Sequence, residues 1–243
     1  CETNVIPSRE DAESWATRFR LSSGRPLDEA NPVLDTELAV PGGRARIAAI
    51  TRTLSPDGLG FALRRHRDKP WTYPLFIKNK FIDPFSAGLM WFLVDGARTL
   101  LIAGTRSSGK TSFLGATMVQ IMPKVRIISV EDTLELPIEQ LRELGYNVER
   151  LKARSVITNI ETELPAEEAL RTALRLGDSA LIIGEVRSKE ASALYEAMRI
   201  GALANVVAGT IHGDSAYGVF DRVVNDLGVP PTSFKATDII FIA

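Results

Sequence analysis

The chain has 243 residues, with 29 lysines and arginines against 30 aspartates and glutamates and a formal net charge of −1. That length can bury the core of one large domain or two modest ones, and the even balance announces no nucleic-acid footprint. Cys1 is the only cysteine, which excludes an internal disulfide and a cysteine-based metal cluster. The first residues, Cys1 to Arg9, hold no apolar stretch of a signal peptide. A start at Cys rather than Met reads as a fragment. Residues 8–21, SREDAESWATRFRL, read as a helix: Ser8 is placed to cap it, Glu10 and Asp11 lie in the first turn, and Trp15 and Phe19 are four apart. A turn-rich stretch over 24–35 follows. TELAV and RARIAAITRT then read as two strands about a tight turn at Gly42–Gly43, and LGFALRRH (59–66) as a third. These make a small α+β domain with an antiparallel sheet, residues 1–73. The two prolines of RDKPWTYP mark a linker, and 67–84 is expected to hold it and the start of a connecting helix.

From Leu75 onward the pattern changes, and 85–243 is expected to be a second domain. The most apolar segment, AGLMWFLVDGARTLLIAG (87–104), is broken by Asp95, Gly96 and Arg98. It is too interrupted to span a bilayer and predicts a helix followed by a buried strand. A helix is expected from Lys110 to Met122. VRIISVED (125–132) predicts a strand, 165–178 a helix with Pro165 at its start, ALIIGEVR (180–187) a strand, and 188–201 a helix. NVVAGTIHGD (205–214) and DIIFIA (238–243) predict two more strands, with a helix to about Leu227 between them. Near-continuous apolar strands alternating with helices imply a mostly parallel sheet covered on both faces, hence an α/β fold.

AGTRSSGKTSFL (103–114) fits G-x-x-x-x-G-K-[ST] through Gly104, Gly109, Lys110 and Thr111. A strand precedes it and a helix follows, which is the context a phosphate cradle needs. Residues Gly104, Thr105, Arg106, Ser107, Ser108, Gly109, Lys110, Thr111 and Ser112 would wrap the phosphates of a nucleotide. Their small side chains let backbone N–H groups point inward at the head of a helix dipole. Lys110 would reach the outer phosphates of ATP, and the Thr111 hydroxyl would hold Mg²⁺. Hydrolysis further needs acids for water and metal. Glu131 and Asp132 end one predicted strand and Glu185 another, at the sheet edge where ligands bind in open α/β folds. His212 ends a third, where a phosphate-sensing role fits; His66 has no such context.

Four motifs, in this order, resemble the ATPases that power type II and type IV secretion, type IV pili and archaella. GTRSSGKT is similar to their Walker A, SVEDTLEL (129–136) to their acidic Asp box, LIIGEVR (181–187) to a Walker B ending in Glu, and GTIHGDS (209–215) to their His box. Residues 22–47 resemble the segment before the ATPase core, and the wording is nearest the archaeal branch. The resemblance implies a RecA-like P-loop core. It also implies that Glu131 polarises the attacking water, that Glu185 holds the Mg²⁺ shell, and that His212 reads the γ-phosphate. A homohexameric ring in the full-length protein is implied, at the cytoplasmic face of the membrane, acting on an integral-membrane platform protein and pilin-like subunits. Three departures stand out. Arg106 replaces the usual Thr, Gly213 replaces a common Ala as a mild change, and the chain stops where the family continues in a helical tail.

Arg44, Arg46 and Arg52 fall at even positions, so on one strand they would share a face, with Ala45, Ile47 and Ala49 on the other. Arg64 and Arg65 follow on the next strand. Like charges on one face need an offset: acidic neighbours and solvent, or the phosphates of a nucleotide. By resemblance, Arg44 and Arg64 are nearest the family's arginines that close on nucleotide. A RecA-type nucleic-acid-processing ATPase is the alternative, disfavoured by the charge balance and by loops without interleaved aromatic and basic residues.

Overall fold

The computed structural model describes residues 6–41, 43–66, 69–153, 164–177, 179–200 and 206–243. Gly42 of the expected turn, Arg67 and Asp68 of the expected linker, and Asn205 of an expected strand lie outside them. The chain divides into two compact units, the second beginning at Lys69.

In the first unit, α1 (Arg9–Ser23) starts as expected. The Ser8 hydroxyl accepts the Asp11 N–H at 3.1 Å, and the Asp11 carboxylate accepts the Ser8 N–H at 2.9 Å, a reciprocal capping box. Three strands follow, β1 (Val33–Val40), β2 (Gly43–Ile50) and β3 (Gly60–Arg65), paired antiparallel in chain order. Trp15 and Phe19 of α1 meet Phe61 of β3 edge-on, at ring separations of 6.1 and 5.8 Å, above a small core of Leu27, Leu34 and Ala49.

The arginine stripe is shorter than the sequence suggests. Arg52 lies beyond β2 in a turn, where its guanidinium reaches Glu13 at 3.4 Å. Arg44 and Arg46 do share a face of β2, and acids of β1 offset them. Arg46 makes a two-pronged bond to Asp35 (3.1 and 2.8 Å), and Arg44 lies 3.5 Å from Glu37. Arg64 stands directly opposite Arg46 in the β2–β3 register.

The second unit runs α2 (Tyr73–Lys78), α3 (Pro84–Asp95), β4 (Thr99–Gly104), α4 (Lys110–Met118), β5 (Ile127–Glu131), α5 (Ile138–Glu143) and β6 (Val148–Lys152). It continues with α6 (Ala166–Ala173), β7 (Ala180–Val186), α7 (Glu190–Ile200), β8 (Val207–His212), α8 (Ala216–Asp221), a π-helical turn (Arg222–Asp226), α9 (Pro231–Phe234) and β9 (Ile239–Ile242). Six strands form one sheet in the order β6-β5-β7-β8-β4-β9, with every pairing parallel. Side chains alternate between its two faces. Leu100 and Ile102 of β4 enter a core shared with α2 to α5, whereas Leu101 and Ala103 enter one shared with α6 to α8. That two-sided burial is why the strands read as unbroken apolar runs.

The helix expected over Lys110–Met122 ends at Met118. Gln120 and Ile121 donate to the carbonyls of Thr117 and Met118, three residues back, and this tightened turn closes the helix. Within 67–84, Trp71, Tyr73, Phe76 and Ile82 belong to the second unit's core. Tyr73 stacks on Phe113 at 5.3 Å and shares a 3.0 Å hydrogen bond with the buried Thr117 hydroxyl. Phe113 is fully buried and also stacks on Phe241 at 4.2 Å. Phe113→Ala is expected to cost about 3–5 kcal/mol of unfolding free energy, read by denaturant titration, because the cluster cannot collapse around so large a void.

Candidate functional site

Residues 105–109 link the end of β4 to the start of α4. Ser107 has φ +64° and Gly109, which caps α4, has φ +95°. Two left-handed residues this close wrap the chain around the head of the helix, and Gly109 adopts that conformation without penalty. The curl is tight: a Cβ at Gly104 would overlap the Ser108 hydroxyl. Lys110 is only 8% exposed, and its ammonium folds back to donate to the carbonyls of Gly104 (3.0 Å) and Thr105 (2.6 Å). Burial pushes its pKa below the ordinary lysine value, while the Glu185 charge pulls it back. Thr111 and Ser112, half-buried, follow in the first turn of α4, whereas Arg106 is exposed.

The sheet order sets the rest. β8 lies beside β4, β7 beside β8 and β5 beside β7, so the three predicted strand ends line up next to the loop. The β7–β8 register shifts between Ile183 and Val186, at Glu185. A bulge there re-aims a side chain that strict alternation would place otherwise. The His212 Nε2 sits 3.1 Å from Glu185 Oε1, and the Arg187 guanidinium bonds Glu185 Oε2. Burial opposes the Glu185 charge, but Arg187, His212 and Lys110 outweigh it and hold the carboxyl below the usual glutamate value. Burial pushes His212 down, assisted by the Lys110, Arg222 and Arg187 charges against the pull of Glu185. The imidazole is therefore neutral at pH 7 and donates to the carboxylate.

Glu131 has different surroundings. It is 2% exposed. Its Oε2 accepts the backbone N–H groups of Glu135 and Leu136, both at 2.8 Å, and its Oε1 lies 3.8 Å from the Arg150 guanidinium. The carboxylate thus organises the loop between β5 and α5. Lys110, Glu185 and His212 form one electrostatic set, while Glu131 is engaged in a second.

Two residues without an assigned role join the first set. Arg187 donates to Asp132 at 2.8 Å as well as to Glu185, which ties the ends of β5 and β7 together. The signal was present: Arg187 stands two residues beyond Glu185, and Asp132 ends a strand. Gly213 is also less interchangeable than expected. A Cβ there would lie 2.8 Å from Val219 Cγ2, and the Gly213 N–H reaches the Gly104 carbonyl at 3.4 Å.

The loop fits a nucleotide's phosphates and Mg²⁺ on its own evidence: a curled backbone at a helix N-terminus, a buried lysine and a threonine hydroxyl beside it. No group of three His, Cys, Asp or Glu side chains among the described residues could hold a metal. A phosphate-bound Mg²⁺ needs none, because it takes its ligands from phosphate, water and one or two side chains.

Residues 61–243 match the family described as Type II/IV secretion system protein. An uncharacterized protein of Methanocaldococcus jannaschii is 31% identical over 83% of this chain and 28% of its own length. A putative conjugal transfer protein of Mycobacterium tuberculosis is 30% identical over 82% of the chain and 56% of its length. The type IV secretion system protein PtlH of Bordetella pertussis is 24% identical over 82% and 62%. The chain thus spans roughly a quarter to less than two thirds of these relatives. Among solved structures, the VirB11 ATPase of Brucella suis, in complex with sulphate, aligns with a TM-score of 0.51 at 20% identity over 97% of this chain and 78% of its own. The ATPase DotB of Legionella pneumophila aligns at 0.63, with 17% identity over 96% and 62%. The shared architecture is the RecA-like α/β core with an antiparallel sheet before it.

Proposed function

The chain belongs to the type II/IV secretion system protein family, and from that premise we propose that it is a Mg²⁺-dependent ATPase of a secretion motor. The observation that supports this reading most directly is the curled loop before α4, with Lys110 buried in it and the Glu185–His212 pair at neighbouring strand ends. In this reading residues 104–112 cradle the phosphates, and Thr111 and Glu185 would hold Mg²⁺. That ion, when bound, neutralises charge on the phosphate oxygens. Lys110 leaves its two carbonyls for the outer phosphates. His212 holds one Glu185 oxygen by hydrogen bond and is placed to register a change there. Glu131 orients the attacking water once its carboxylate turns from the loop amides.

Arg44 and Arg64 supply further positive charge to the phosphates, and Arg44 must first exchange Glu37 for that partner. We assign 1–73 to the small domain, 67–84 to the connection and 85–243 to the ATPase domain. The whole protein works as a ring, typically a hexamer, and drives secretion, pilus or archaellum assembly. It sits peripherally at the inner face of the cell membrane, against an integral platform protein and pilin-like subunits. No helix among the described residues is long and apolar enough to cross the bilayer.

The test is phosphate release by the purified chain. Turnover is expected to require Mg²⁺ and to be unmoved by DNA or RNA, and Arg64→Ala is expected to lose turnover but keep nucleotide binding. Stimulation by nucleic acid would transfer the chain to the nucleic-acid-processing class. Full turnover in Arg64→Ala would remove that arginine from the site.

A further inference from the structure

A second cavity adjoins the phosphate loop within the same unit. It is an open cleft of about 480 Å³ between the end of α2, the start of α3 and the end of β9. Sites for small molecules span about 300–1,000 Å³. Its wall is mostly apolar, built from Ile77, Phe81, Ile82, Phe241 and Ile242. Phe81 connects the cleft to the loop: its ring edge lies 3.7 Å from where a Cβ of Gly109 would stand. The same ring packs against Phe76 and Phe113, at 4.7 and 5.8 Å, so the packing holds it in place.

The cleft also has hydrogen-bonding capacity, and the sheet supplies it. β9 is the edge strand beside β4. The Ala243 N–H donates to the Ala103 carbonyl at 2.8 Å. Backbone groups alternate between the two edges of a strand, so the N–H and C=O of Ile242 point to the free edge. Ile242 therefore brings one donor and one acceptor to an otherwise apolar wall. An aromatic ring, aliphatic walls and a single donor–acceptor pair make a surface for a flat heteroaromatic ring rather than for a sugar or a peptide.

Building on the ATPase reading, we propose that this cleft is the nucleobase subsite. A nucleotide with its phosphates on residues 104–112 seats its base against Phe81, with the Ile242 edge available to the base's polar rim. The loop then accounts for the phosphates, and the cleft accounts for the preference for a nucleotide over bare polyphosphate.

The experiment compares ATP with inorganic tripolyphosphate, each titrated into the chain by calorimetry with Mg²⁺ present. Wild type is expected to bind ATP more tightly than tripolyphosphate. Phe81→Ala is expected to weaken ATP about ten- to a hundredfold, the range that base stacking on an aromatic ring supplies, and to leave tripolyphosphate unchanged. Because Phe81 also packs in the core, a second variant fills the cleft from its rim. Ser86→Phe keeps the Asp83 cap on the Phe85 and Ser86 N–H groups and is expected to give the same selective loss. Lys110→Ala weakens both ligands. Equal losses for ATP and tripolyphosphate in the two cleft variants, or no loss in Ser86→Phe, would overturn the base subsite and leave the phosphate loop standing. Tripolyphosphate binding unmoved by Lys110→Ala would instead overturn the loop reading, and the subsite with it.

Discussion

Lys110→Ala is expected to abolish ATP hydrolysis, to below a thousandth of wild type, and to weaken nucleotide binding at least tenfold. The lysine is the only charged side chain of the loop that is buried, and both hydrogen bonds identified for its ammonium go to the loop's own carbonyls. Those bonds are weak competitors for a polyphosphate. A charge-assisted bond to an anion is roughly twice as strong as one to a neutral acceptor. The burial that depresses the lysine's pKa also means that little solvent screens it from an incoming anion. Removing it should leave the fold intact, because the packed face of α4 is carried by Phe113, Leu114 and Met118. The checks are steady-state phosphate release, titration with a fluorescent nucleotide, and a thermal melt. Wild-type turnover in a folded variant would end the phosphate-cradle reading.

Glu131→Gln is expected to slow hydrolysis at least about a hundredfold, the contribution of a positioned general base, with ATP still bound. The structure adds a second consequence. In glutamine the amide N–H₂ must face either the two backbone N–H groups of Glu135 and Leu136 or the Arg150 guanidinium. Each arrangement sets donor against donor in a buried place, which costs about 1–3 kcal/mol. A fall in melting temperature is therefore expected alongside the fall in turnover. The two effects separate at low temperature, where the variant is fully folded: a turnover deficit that persists there belongs to the chemistry. Turnover that recovers to wild type would confine Glu131 to holding the β5–α5 loop.

Much of the fold was legible because its forces are local or periodic. Ser8 and Asp11 spell a capping box three residues apart. Trp15 and Phe19 spell one helix face. The apolar runs TLLIAG and ALIIGEV could only be strands buried on both sides. The phosphate loop was legible for a related reason, since its glycines, lysine and threonine act through the backbone they belong to. What escaped depended on neighbours distant in sequence. Nothing near Arg52 says that β2 ends at Ile50. Nothing near Arg44 says that Glu37 will lie beside it, because that pairing comes from the β1–β2 register. The helix ending at Met118 was missed because Val119 to Met122 keep good helical residues; the tightened turn there is not visible in propensity.

The sequence by itself determined the class of protein: a parallel α/β core with a nucleotide loop, a small arginine-rich domain before it, and four motifs in a family's order. Short-range chemistry suffices for that, since caps, turns and apolar periodicity act within a few residues. Only the tertiary structure decided which strand-end acids share a site. Glu131, Asp132 and Glu185 look alike along the chain. The strand order and the bulge at Glu185 bring that carboxylate to His212 and Arg187, while the loop after β5 folds back to take Glu131 on its amides. A carboxylate's role follows from the charges and donors around it, and those come from elements far apart in sequence.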